Sequence, residues 1–224
     1  MTGVDPQERQ QYELHAGVLR TVGESLRGDL PPVLAFETGA RGNEAALRLH
    51  APELALRIIA RTQALAGPDH DDAIALEMLF RMVSEQLERD RSEAARYTEC
   101  AQDPAYHDGS IVTRAHITAR AAEAHERAGA LETAASQYLE SVALGHRAET
   151  SDTDARRSDI SFKTVQREAA ALRVSRLAGF VEALTQELGI AQWPERVDRP
   201  RIPTGVFDRA RWKPTALPRG DLSR

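Results

Sequence analysis

One cysteine, Cys100, stands in a chain of 224 residues, so no intrachain disulfide can form and oxidation does not hold this fold together. A reducing compartment follows, and cytoplasm is the expected location. No apolar run approaches the roughly 18 residues of a membrane span. The opening MTGVDPQERQQ is polar and acidic, without the basic flank or apolar stretch of a secretion signal. Catalytic signatures are missing too. Neither HExxH nor a CxxC pair occurs, no GxxxxGK[ST] or GxGxxG cradles a phosphate, and no Ser, Cys or His falls into a nucleophile motif. Nor does any segment alternate apolar and polar residues as a half-buried strand would, which makes the expected class all-α.

Charge is present but unevenly placed. The formal net charge is −5, which disfavours general nucleic-acid binding, since that affinity comes from cations neutralising phosphates. Residues 193–224 hold eight Arg or Lys against four acids, a local balance of +4, so the rest of the chain carries −9.

The periodicity predicts a helical body over 1–192. Asp5 and Pro6 open a first helix that carries Tyr12, Val18, Leu19, Val22 and Leu26 on one face and stops at Gly28. A short helix, VLAFE, should end at GARGN, and Asn43 should cap a second short helix to His50. Pro52 begins another, with Leu54, Ile58 and Leu65 in one stripe, ended by Gly67 and Pro68. In DDAIALEMLFRMVSEQLE two apolar stripes, Ile74/Met78/Met82 and Leu76/Phe80/Val83/Leu87, imply an inner helix touched on two sides. A separate small helix covers 91–102, the loop DPAYHDGS follows, and HRAETSDTDARRSD after Gly145 reads as an exposed loop. The last helix runs from about Ile160 to Leu188, with Val165, Ala169, Leu172, Leu177, Val181, Leu184 and Leu188 as its seam.

Between these lies ITARAAEAHERAGALETAASQYLESVALG, residues 117–145, a hairpin with small residues wherever its helices would cross. Ala122 on the first helix and Ala134 and Ser141 on the second let the backbones approach, while Tyr138 fills the groove left over. With His125 and Gly129, this spacing resembles the tetratricopeptide repeat. Thr118 stands where that family has a large apolar residue, His125 where it has an aromatic, and His146 where it has proline. Met82, Ala94 and Ala101 echo the register of Ala122, Ala134 and Ser141 forty residues upstream, and Ala55 echoes Ala94. The expectation is therefore a stack of antiparallel helical hairpins, tetratricopeptide-like or an irregular bundle. The resemblance implies protein or peptide binding on a concave face.

The dipeptide His70-Asp71 resembles the metal-dependent phosphohydrolases of the HD superfamily, with His50, His107-Asp108 or His116 as further ligands. Acids in that place also suit capping of the helix that follows. His15, His116 and His125 fall within helices, and Cys100 reads as a packing residue. No metal or other cofactor is expected.

Residues 193–224 carry five of the eleven prolines and both tryptophans, Trp193 and Trp212, which predicts an extended C-terminal arm. Three readings of the arm stand: a strap folded back on the acidic body, a docking arm for a second copy or a protein partner, or a strand laid along nucleic acid. In the docking reading Trp193, Phe207 and Trp212 are anchors, with Arg209 and Arg211 as charged contacts. The function expected first is a non-enzymatic adaptor or assembly subunit, with an HD-like hydrolase or a nucleic-acid factor as alternatives.

Overall fold

The computed structural model describes residues 6–28, 30–67, 73–103, 105, 110–151 and 154–194. Among these residues there are seven α-helices and no strand: α1 (Pro6–Arg27), α2 (Pro32–Arg48), α3 (Pro52–Ala66), α4 (Ala73–Gln102), α5 (Ile111–Arg127), α6 (Leu131–Ser151) and α7 (Asp154–Leu188). A 3-10 turn, Ile190–Gln192, follows α7. Each helix packs on the next in the chain, as in a helical-repeat arrangement, and the all-α class stands.

Local chemistry explains most helix starts. Proline lies in the first turn of α1, α2 and α3, where an N–H would have no intrahelical partner. Ser110 caps α5, its hydroxyl accepting the Thr113 N–H at 3.1 Å.

Two expected breaks are instead continuous helix, and an expected loop is largely helical. GARGN does not end a helix: α2 runs through Gly39 and Gly42, and Asn43 is buried within it rather than capping a new one. The glycines are there for space, because a Cβ on Gly39 would overlap the Thr62 hydroxyl of α3. The two helices expected on either side of residue 90 are likewise one, the 30-residue α4. Third, the charged stretch after Gly145 continues α6 to Ser151, and α7 begins by Asp154. Here too Gly145 lets α6 meet α7, since a Cβ would overlap Thr164. Thr62 and Thr164 each donate their hydroxyl to their own helix, to Ile58 O and Ile160 O, both at 2.8 Å. Each thus buries a polar atom at a close crossing without leaving it unpaired.

Burial also corrects two stripes. On α4, Leu76, Val83 and Leu87 are buried as expected, but Ile74, Met78 and Met82 face outward. Along α7 the expected seam holds only at its end, where Leu177, Leu184 and Leu188 are buried. Val165, Ala169 and Leu172 are exposed, and Ile160, Thr164, Ala171 and Val174 are buried instead. The cause is a change of neighbour, because α7 packs along α6 and also returns to α1, so no single stripe serves its whole length.

That return closes the array. The Tyr12 and Phe180 rings stack at 6.0 Å, Arg20 Nε donates to Glu187 at 2.9 Å, and Arg27 donates to Leu188 O at 3.0 Å. Past α7 the chain docks on α3, where Arg57 donates to Ile190 O at 3.2 Å, and Ile190 and Trp193 enter the main core. Leu19, Leu26, Ile58, Ile59 and Leu177 are among the large side chains of that core. Truncating one of them to alanine would cost about 2–5 kcal/mol.

A candidate binding cleft between two hairpin turns

Two turns of the same design meet at the centre of the molecule. α2 ends as Ala51 N–H reaches Ala46 O at 3.0 Å and His50 N–H reaches Leu47 O at 3.1 Å. The end of α5 repeats the pattern: Ala130 N–H reaches His125 O at 2.9 Å and Gly129 N–H reaches Glu126 O at 3.1 Å. Both are Schellman caps, which need a left-handed residue after the helix. Gly129 supplies it at φ 78°, while His50 adopts φ 51° despite its Cβ. A Cβ on Gly129 would also stand 2.8 Å from Pro52 Cδ and 3.2 Å from His50 O, so the turns touch each other.

Residues 50 and 129 are 79 positions apart, and the same shift carries Ala55 to Ala134 and Thr62 to Ser141. The forty-residue echo at Met82 does not mark a hairpin, since α4 is unbroken there; the α2–α3 and α5–α6 hairpins are the matching pair. In the second, Ala122, Ala134, Tyr138 and Ser141 are all buried. Ser141 donates across the hairpin to Ala115 O at 2.6 Å.

Beneath the paired turns sits a buried carboxylate. Glu126 accepts from Arg173 of α7 at 2.6 Å and from the Tyr138 hydroxyl at 3.2 Å, and the His50 imidazole lies 3.7 Å away. Burial raises the Tyr138 phenol well above its ordinary value, and the Glu126 charge raises it further. Burial likewise lowers His50, with Glu126 opposing and Arg173 reinforcing the shift. This knot joins the α2–α3 turn, α5, α6 and α7. An acid in the last turn of a helix opposes the helix dipole. That misplaced charge was the one sequence sign that Glu126 has a special partner.

Above the knot opens a cleft of about 880 Å³. One wall is the start of α3 and the α5–α6 turn, the floor is α4 at Ala94, Ala95 and Thr98, and Val181, Thr185 and the 3-10 turn form the far wall. Two of its cations are engaged: Arg91 pairs with Glu53, and Arg57 holds Ile190 O. His125 is lowered by burial, and its Nε2 lies 3.3 Å from Thr98 Oγ1, which accepts from Gln137 at 3.1 Å. Small apolar side chains with paired polar groups at the edge suit the seating of a chain segment.

Of the expected anchors, only Trp193 lies within the described residues, and it is buried in the core cluster of the body. Phe207, Arg209, Arg211 and Trp212 lie outside the described residues, as do His70, Asp71, His107 and Asp108. His116 is on α5, ten residues or about 15 Å along the helix from the Glu126 that neighbours His50. Among the described residues no three His, Cys, Asp or Glu side chains converge as a metal site would require, and no helix is long and apolar enough to cross a membrane. No family model, no curated protein and no solved structure matches the chain.

Proposed function

We propose that the chain is a non-enzymatic, tetratricopeptide-like adaptor or assembly subunit of the cytoplasm, seating a segment of a protein partner in the central cleft. The arm makes the second contact, through Phe207, Arg209, Arg211 and Trp212. The observation that carries the reading is the cleft itself, about 880 Å³ between two like hairpin turns, with Arg91 already paired to Glu53. Such a surface rewards shape and apolar contact rather than proton transfer or nucleophilic attack. Trp193 belongs to the body in this reading, so the arm proper begins after Pro194.

The test is affinity capture with the full chain, with a chain ending at Pro194, and with Ala95→Arg, which puts a long cation on the cleft floor. Ala95 is exposed, so the substitution leaves the core intact. Both variants should keep wild-type helicity by circular dichroism and lose the protein captured by the full chain. Undiminished capture by Ala95→Arg would remove the cleft from the account, and undiminished capture by the truncated chain would remove the arm.

A further inference from the structure

A second pocket, of about 360 Å³, lies between the start of α5, the end of α6 and the start of α7, away from the central cleft. Ala115, Gly145, Ala148 and Ile160 give it an apolar floor, and His116, Lys163, Arg167 and one acid, Asp159, complete the lining. Arg167 is about half buried and makes no hydrogen bond or ion pair among the described residues, with Glu123 attracting it from a distance. An unpaired guanidinium removed from water is unfavourable unless something else meets it. Among the described residues Lys163 pairs with Asp159 alone, at 2.8 Å, in a pair that is more than half exposed on both sides and so easily exchanged. Val112 and Thr113, in the first turn of α5, line the same pocket and place the positive end of the helix there. His116 is lowered by burial and then by Arg120, Arg167 and Lys163, with Glu123 alone opposing, which marks the local field as positive.

We propose that this pocket binds the phosphate of a phosphate monoester, gripped by Arg167 and Lys163, with His116 and the first turn of α5 completing the site. The guanidinium fork suits two phosphate oxygens at once, and a half-buried and an exposed cation together match a dianion. The pocket has room beyond the phosphate for the group that carries it. This inference is independent of the adaptor reading, since it uses neither the cleft nor the arm.

The test titrates the full chain with inorganic phosphate and with O-phosphoserine, against sodium chloride at equal ionic strength, and follows amide resonances. Saturable shifts centred on residues 111–116 and 163–167 are expected, absent with chloride. Tighter binding of O-phosphoserine would identify an ester as the ligand, and equal binding would identify the free ion. Arg167→Gln should weaken binding at least tenfold while leaving the melting temperature without phosphate close to wild type, because Arg167 has no hydrogen bond or ion pair to lose among the described residues. Lys163→Gln, at an exposed position, should weaken binding at least threefold and guards against misfolding of the first variant. Equal shifts with chloride, or unchanged affinity in both variants, would overturn the site.

Discussion

At the scale of single residues, the decisive side chain is Glu126. It is a buried anion in a helix end that disfavours it, held by Arg173 and Tyr138 and approached by His50. Removing one partner of such a pair strands the other charge, which is worse than never having built it. Glu126→Ala should therefore destabilise the protein by about 3 kcal/mol in urea unfolding, and Arg173→Met introduced into that background should recover part of the loss. A double variant less stable than Glu126→Ala alone would mean that Arg173 contributes mainly by packing. Sequence spacing found Ala122, Ala134, Tyr138 and Ser141, because small residues at helix crossings leave a local pattern. It passed over Glu126 and Arg173, whose pairing spans 47 positions and leaves none.

Among the elements, turns and crossings were read with unequal success for a physical reason. Gly129 was legible only through the repeat spacing, and it takes the left-handed cap that favours glycine. His50 was not, since it holds the same geometry with a side chain that gives no such sign. Gly39 and Gly42 were mistaken for a break, although in a helix that must lie close to its neighbour glycine marks contact instead. The seam of α7 failed over its first half because one helix face was assumed where two neighbours share the work. Two glycine substitutions separate these roles. Gly129→Ala should cost at least about 1 kcal/mol, from the left-handed backbone alone, with the Pro52 overlap adding to it. Gly179→Ala, in the interior of α7 with nothing within 4 Å of a new Cβ, should stabilise by up to about 1 kcal/mol. Thermal melts of the two variants should move in opposite directions.

For the molecule as a whole, acid sensitivity follows from three histidines. His50, His116 and His125 are all lowered from 6.5, in each case first by burial. Below that value the unfolded chain takes up protons that the folded chain refuses, so stability should fall as pH drops through 6.5 and level off once the folded groups are protonated. Urea midpoints measured between pH 7.5 and 5 should show this decline. His125→Asn should flatten it, and an unchanged slope would exclude His125 as a contributor.

The embrace of α1 by the end of α7 also fixes an order of events during synthesis. Arg20, Gly23 and Arg27 wait for Glu187 and Leu188, roughly 160 residues later in the chain. At common translation rates of about 5–20 residues per second, one flank of the first helix stays uncovered for on the order of 8–30 s after it emerges from the ribosome. The hairpins between can close on themselves in that interval, so the end of α7 acts as a late latch on α1.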